Sequence, residues 1–251
     1  MTEEVDKVDP TGSVAAMSPH KDDERAGSLG DRLNQLRAGV LGANDGIVSV
    51  AGVVVGVAGA SAERTQILTA GVAALVAGAL SMAGGEYVSV STQRDTEIAA
   101  IAKESEELRT MPEAELDELA AYYQKRGISS ETAHAFAREL TAVDALRAHT
   151  EMEFNITPGE LTSPWHAAYA SLVAFAIGAV IPLLAIALPP DSLRIWVCVA
   201  SVIVALFLTG YISARLGDAP KWPAIVRNVV VGMLTMGIAW AVGRLFGVAT
   251  G

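Results

Sequence analysis

The sequence predicts an all-α membrane protein: five transmembrane helices, with a three-helix cytosolic insert between the second and third spans. Half of the residues (51%) are hydrophobic, and the mean hydropathy is +0.38. About 20 apolar residues cross the ~30 Å hydrocarbon core of a bilayer, and a backbone in lipid must form a helix to satisfy its own hydrogen bonds. Windows of spanning length occur at 38–60, 67–85, 165–188, 195–214 and 223–243.

The segment before the first window is polar and is interrupted by Pro10 and Pro19. A segment of this composition cannot bury enough apolar surface to fold, so residues 1–32 are expected to form a disordered tail. This tail also lacks the apolar core of a cleavable signal peptide. Residues 33–87 then carry the first two transmembrane helices.

The basic residues set the expected orientation. Five precede the first window and seven lie between the second and third, whereas only Arg64, Arg194 and Arg244 fall on the opposite side. Because cytoplasmic segments carry an excess of Lys and Arg, the N-terminus and the long insert are expected in the cytosol. The odd number of spans then puts the C-terminus on the other side.

The second transmembrane helix is predicted to continue far beyond the membrane. No Gly or Pro occurs between Gly85 and Pro112. A helix over 67–109 would be about 64 Å long at 1.5 Å per residue, so roughly half of it must project into the cytosol. Thr110 is the expected N-cap of the next helix.

That second cytosolic helix is expected to end at Gly127, a glycine in the usual C-terminal position. Ser129 or Ser130 would cap a third helix running to about residue 154. Residues 88–157 therefore form the predicted cytosolic acidic metal-binding domain, and residues 158–251 hold transmembrane helices 3–5.

Charge and residue types exclude several functions. The net charge is −10, and residues 95–153 hold fourteen acids against six bases, which repels nucleic acid and attracts cations. The single Cys198 permits neither a disulfide nor a thiolate metal site within one chain, and it is expected to pack in the core. The four histidines are scattered and no nucleophile–base constellation is present, so an enzyme is not predicted.

Paired glutamates are the main feature of the insert. Glu104 with Glu107, and Glu115 with Glu118, are each spaced i, i+3, so both carboxylates of a pair share one helix face. Oxygen donors combined with a softer Met or His suit Fe²⁺ or Mn²⁺. Merely solvated charged helices are the alternative. The third helix ends with further potential ligands: His149, Glu151, Met152 and Glu153. For His149, a solvated helix end is favoured.

Two carboxylates interrupt the apolar windows. A charge at membrane depth costs roughly 2.5–3.5 kcal/mol on insertion scales, so Asp45 and Glu86 are functional candidates. Met82 lies four residues before Glu86, and a thioether beside a carboxylate suits a borderline divalent ion. The alternatives are an N-cap at Asp45, a Glu86 side chain that reaches water, and a Met82 that only packs.

These motifs resemble the vacuolar iron transporter family. The matching stretches are Ala43-Asn-Asp-Gly-Ile-Val-Ser in the first span and Leu80-Ser-Met-Ala-Gly-Gly-Glu-Tyr-Val-Ser in the second, together with the two cytosolic glutamate pairs. The likeness covers about residues 33–248. It implies a five-span homodimer that exports Fe²⁺ from the cytosol in exchange for protons.

The resemblance also implies roles for individual residues. Asp45 and Met82 would line a pathway along the dimer interface, with Glu86 as a further member. The family's third cytosolic helix contributes a Met-Glu pair followed three residues later by Glu. Met152 and Glu153 fit the pair, although residue 156 is Ile; an ungapped register selects Glu151, Met152 and Asn155 instead. The implied metal ligands are Glu104, Glu107, Glu115, Glu118, Glu151, Met152 and Glu153.

The sequence thus predicts a divalent metal transporter for Fe²⁺ or Mn²⁺, without a prosthetic group. A membrane-anchored metal buffer or sensor is the alternative, since the glutamates would serve either function. The expected partners are lipid, a second copy of the chain, metal ions and protons, with no nucleic acid. The membrane is expected to be the plasma membrane in a prokaryote and the vacuolar membrane in a eukaryote.

Overall fold

The computed structural model describes residues 23–61, 63–159 and 161–250, with side-chain environments from residue 38 to residue 247 outside the same gaps. Over this part of the chain all regular secondary structure is helical. Seven helices follow one another: α1 (Asp23–Ala60), α2 (Arg64–Thr110), α3 (Pro112–Lys125), α4 (Ser130–Phe154), α5 (Pro164–Ala187), α6 (Arg194–Leu216) and α7 (Lys221–Thr250).

Five of these helices, α1, α2, α5, α6 and α7, are long and apolar enough to cross a membrane. This confirms the predicted number of spans. The 47 residues of α2 correspond to about 70 Å, more than twice the ~30 Å hydrocarbon core. Its apolar part ends at Gly85, and the remainder, from residue 88 to Thr110, is polar and lies beyond the spanning part.

Helix α1 is the centre of the apolar bundle, because it packs against α2, α5, α6 and α7. Glycines allow its backbone to approach α5 closely. A Cβ at Gly46 would collide with the carbonyl oxygen of Phe175, and one at Gly178 would collide with that of Ala43. In lipid, where no hydrophobic force drives helices together, such backbone contact is a main source of packing energy.

The polar end of α2 packs with α3 and α4 into a second, smaller unit. Its core contains Leu119 and Ala120 of α3 and Ala133 and Ala137 of α4, all fully buried. Small alanines on facing helices let α3 and α4 lie close together. This unit holds the metal-ligand candidates of the insert.

Helix ends agree with the sequence in part. Ser129 caps α4, as its hydroxyl accepts a hydrogen bond from the Thr132 amide, and Gly127 has the left-handed φ of 92° that a helix-ending glycine adopts. The expected Thr110 cap is wrong. Thr110 is the last residue of α2 and donates its hydroxyl to the Glu106 carbonyl, so Met111 stands at the junction.

The N-terminal segment also differs from expectation. Helix α1 begins at Asp23, so residues 23–32 are helical, whereas residues 1–22 of the expected tail lie outside the described residues. Residues 23–32 hold five charged residues and no proline, which permits extension of the first helix toward the N-terminus in spite of Gly27 and Gly30.

Helix α4 is broken inside its length. Asp144 has the extended backbone angles φ −159° and ψ 94°, and its Oδ1 accepts a hydrogen bond of 3.0 Å from the Arg147 amide. Asp144 therefore acts as an N-cap for a second helical segment, 145–154. That segment ends at Asn155, which adopts a left-handed conformation with φ 54°.

Candidate metal centre

Four side chains from three helices converge inside the smaller unit. Glu104 comes from α2, Glu115 from α3, and His149 and Glu153 from the second segment of α4. One ligand atom from each lies within 4.8 Å of all the others. The Nδ1 atom of His149 is 3.1 Å from a carboxylate oxygen of Glu104, 3.6 Å from one of Glu153 and 3.8 Å from one of Glu115.

Local structure explains this convergence. The turn at Met111 reverses the chain, so the glutamates near the end of α2 face those at the start of α3. His149 and Glu153 are spaced i, i+4 and therefore share one face of α4. The cap at Asp144 starts the segment that presents this face to the other two helices.

The cluster is almost closed to solvent. Glu104 is 1% exposed, Glu115 6% and His149 0%, and the Glu153 side chain is 10% exposed. One buried carboxylate is costly, and three beside each other repel one another as well. A bound cation would offset both costs.

Hydrogen bonding does not satisfy the cluster. Neither ring nitrogen of His149 has a hydrogen-bond partner, and one oxygen of Glu104 and one of Glu153 lack one as well. The 3.1 Å separation between His149 and Glu104 is short enough for a hydrogen bond, but the angles do not form one. Buried polar atoms without partners are uncommon in folded proteins, and a bound water or ion would satisfy those of the cluster.

The electrostatics of the cluster favour protonated carboxyls when no cation is present. Burial, followed by repulsion from Glu104, Glu118, Glu115 and Glu107, raises the pKa of Glu153 to about 7. Burial is also the largest cause of the raised pKa of Glu104 and of Glu115, with nearby glutamates adding to it. Burial lowers the pKa of His149, which keeps the imidazole neutral and able to donate a lone pair.

Other predicted ligands of the insert lie outside this cluster. Glu107 pairs with Lys103 at 2.8 Å, and Glu118 is exposed, although the charges of both contribute to the raised pKa of Glu153. Glu151 is exposed and pairs with Arg147 at 2.7 Å. The sulfur of Met152 accepts a hydrogen bond from Arg126, 2.6 Å away.

His149 is among the potential ligands of the sequence analysis, but it is absent from the ligand set predicted there. The expectation of a solvated helix end is wrong, because the side chain is fully buried at the centre of the cluster. The signal was present in the i, i+4 spacing of His149 and Glu153. Asn155, selected by an ungapped register, instead ends α4 with its left-handed backbone.

The three predicted membrane residues lie elsewhere: Asp45 and Met82 in the apolar bundle, and Glu86 at the end of the apolar part of α2. Asp45 is partly buried in α1 and accepts a 2.6 Å hydrogen bond from the Ser49 hydroxyl one turn later. Met82 is partly buried and packs against the apolar core, and Glu86 is partly buried on the same helix, α2. These residues are separate from the cluster.

Comparison with known proteins identifies the family. A family model described as the VIT family matches residues 36–244. The chain belongs to the VIT family. The matched range includes all four residues of the cluster as well as Asp45, Met82 and Glu86.

Curated relatives match over nearly full length. A protein named vacuolar iron transporter from Acanthamoeba castellanii is 39% identical over 97% of this chain and 93% of its own. Vacuolar iron transporter homolog 4 from Arabidopsis thaliana is 35% identical over 90% of this chain and 91% of its own. Vacuolar iron transporter homolog 5 from rice (Oryza sativa subsp. japonica) is 37% identical over 90% and 89% respectively. The resemblance seen in the sequence motifs is thus confirmed, and the likeness of this VIT family chain to these relatives extends over 90% or more of its length.

Proposed function

We propose that this protein transports divalent metal, Fe²⁺ foremost and Mn²⁺ second, out of the cytosol in exchange for protons. The observation that carries the proposal is the buried cluster of three carboxylates and one imidazole at the polar end of α2. The other end of the same helix is an apolar span. The names of the relatives support iron as the cargo.

The proposed pathway runs between the first and second membrane helices of two copies of the chain and uses Asp45, Met82 and Glu86. The exposed apolar face of α2 supports a second copy. Val72, Val76 and Leu80 are about half exposed in the single chain, and only a small part of the spanning half of α2 is buried. Lipid or a second copy must cover such a face.

Proton exchange follows from the chemistry of the ligands. A carboxylate that releases a metal ion in a site of low polarity takes up a proton, because desolvation disfavours the free charge. The raised pKa of Glu153, about 7, supports this proposal, because it puts one carboxyl of the proposed entry site in the range where a proton and a metal ion compete. In the proposed orientation the cluster lies in the cytosol and is the entry site. The metal ion therefore moves out of the cytosol, across a plasma membrane or a vacuolar membrane.

Fe²⁺ uptake into proteoliposomes under an imposed pH gradient tests this proposal. Asp45→Ala is expected to abolish gradient-driven uptake, because the pathway loses its first-span carboxylate. Asp95→Ala is the matched control: it removes an exposed carboxylate on α2 outside the cluster and is expected to leave uptake unchanged.

The experiment also separates transport from storage. Undiminished uptake by Asp45→Ala would overturn the proposed pathway. If the wild-type protein binds metal but shows no uptake under any pH gradient, the chain is a membrane-anchored metal buffer or sensor instead.

A further inference from the structure

We propose that His149 is a direct ligand of the cargo metal and makes the cytosolic site select first-row transition ions against Ca²⁺ and Mg²⁺. The inference rests on the proposed function, since it concerns the cargo of the same site. It goes beyond that function because it assigns the selectivity to one nitrogen donor among carboxylates.

The spacing of the ligand atoms fits a metal shell. Metal–nitrogen and metal–oxygen bonds of about 2.0–2.2 Å put neighbouring ligand atoms roughly 2.8–3.6 Å apart in octahedral or tetrahedral arrangements. The Nδ1 atom of His149 lies 3.1, 3.6 and 3.8 Å from oxygens of Glu104, Glu153 and Glu115. Small side-chain adjustments would bring all four atoms onto one ion.

A purely structural role for His149 does not account for its surroundings. Both of its ring nitrogens are buried and lack hydrogen bonds. His134, on the same helix, shows what a structural histidine looks like here. Its Nδ1 is hydrogen-bonded to the Ser130 carbonyl at 2.7 Å, whereas neither nitrogen of His149 has such a bond.

The donor set determines the preferred ion. Ca²⁺ takes six to eight oxygen ligands, and Mg²⁺ takes oxygen ligands and keeps several waters. Imidazole suits iron, zinc and other transition ions, whereas carboxylates alone suit Mg²⁺, Ca²⁺ and Mn²⁺. A nearly closed site with one imidazole therefore disfavours the two abundant hard cations. A site made only of carboxylates would not discriminate in this way.

Pulsed electron paramagnetic resonance on the unmutated full-length protein in detergent tests the ligation directly. Mn²⁺ is the probe, at one equivalent per chain. We expect modulation from a directly bound ¹⁴N nucleus, which changes to the ¹⁵N pattern when histidine is isotopically labelled. A Mn²⁺ ion bound without nitrogen coupling would overturn the proposal, whatever any variant does.

Metal titration tests the selectivity. His149→Gln replaces the nitrogen donor by an amide oxygen, and His134→Gln is the matched control. Loss of a hydrogen-bond partner behind a metal ligand typically lowers metal affinity by roughly 10–100-fold. We expect His149→Gln, which removes a ligand itself, to lower the Co²⁺ affinity by at least as much. Its Ca²⁺ affinity should hold or rise, because an amide oxygen suits Ca²⁺. The control should bind both ions like the wild type.

The failures are distinguishable. Equal losses of Co²⁺ and Ca²⁺ affinity in His149→Gln, or no loss of either, would overturn the role of His149 in selectivity while leaving the site intact. A different result would overturn the cytosolic site itself, and the inference with it. In that case the wild-type protein binds neither Co²⁺ nor Ca²⁺, and the Glu104→Gln variant does not differ from it in binding.

Discussion

At the scale of single residues, the site depends on carboxyl groups held away from water and next to one another. Glu153 is the extreme case, because burial and four neighbouring glutamates raise its pKa from 4.5 to about 7. A metal ion that binds there must displace a proton. Metal binding at the proposed site is therefore expected to depend on pH through this residue.

We predict that the affinity of the full-length protein for Co²⁺ rises about tenfold per pH unit for each proton that the metal displaces. The part of this rise that is due to Glu153 should end near pH 7, where the free carboxyl loses its own proton. In the metal-free protein, the folded state keeps a proton on Glu153 between about pH 4.5 and 7 that the unfolded chain has lost. Folding stability therefore falls as the pH rises through this window. Isothermal titration at several pH values and pH-dependent thermal unfolding measure the two effects.

The control for this prediction is Glu151→Gln, which changes an exposed glutamate two residues away that pairs with Arg147. It should keep the wild-type pH dependence, whereas Glu153→Gln should reduce the slope. A Co²⁺ affinity that is independent of pH between 5 and 7 would contradict the proposed coupling.

Site residues were predictable from the sequence only where helical spacing puts two of them on the same face of one helix. The i, i+3 spacing puts Glu104 on one helix face with Glu107, and Glu115 on one face with Glu118. It does not distinguish the buried member of each pair from the exposed one. Contacts between helices decide which one is buried, and these depend on the turn at Met111 and the kink at Asp144. The burial of His149 was not predictable for the same reason, because α2 and α3 cover its side chain and its own helix does not.

At the scale of elements, the break in α4 positions half of the site. Asp144 leaves helical geometry and caps the segment 145–154, which carries His149 and Glu153. Such a break was not predictable from the sequence, because an aspartate surrounded by alanine, leucine and valine is also acceptable inside an exposed helix. The long apolar helices, by contrast, were predictable, since lipid leaves a spanning backbone no alternative.

We predict that Asp144→Ala destabilises the segment 145–154 by about 1 kcal/mol, the usual cost of losing a side-chain cap, and weakens Co²⁺ binding. Asp144→Ser keeps a capping oxygen and should retain most of both properties. Hydrogen exchange of the amides in 145–154 and Co²⁺ titration of the full-length variants provide the measurements.

Ser129→Ala is the matched control, because it removes the cap at the other end of α4. It should increase exchange near residues 130–134 without affecting 145–154. Unchanged exchange in 145–154 of Asp144→Ala would show that packing alone holds His149 and Glu153 in place.

At the scale of the whole molecule, α2 joins the two groups of predicted residues. Glu86 and Glu104 are 18 residues apart on this continuous helix, or about 27 Å. That distance is more than three times the ~8 Å over which charges interact in physiological salt. At this separation their charges interact little, and we propose that the cluster and the membrane carboxylates act on a metal ion one after the other.

This serial arrangement predicts different kinetic effects for the two groups in Fe²⁺ uptake by proteoliposomes. Glu115→Gln should raise the Fe²⁺ concentration needed for half-maximal uptake by roughly 10–100-fold and preserve the maximal rate, because it weakens capture alone. Asp45→Asn should lower the maximal rate. Glu113→Gln, an exposed glutamate on the same helix as Glu115, is the control and should change neither value. If Glu115→Gln abolishes uptake at saturating Fe²⁺, the cluster is an obligatory step of the transport path rather than a capture site in front of it.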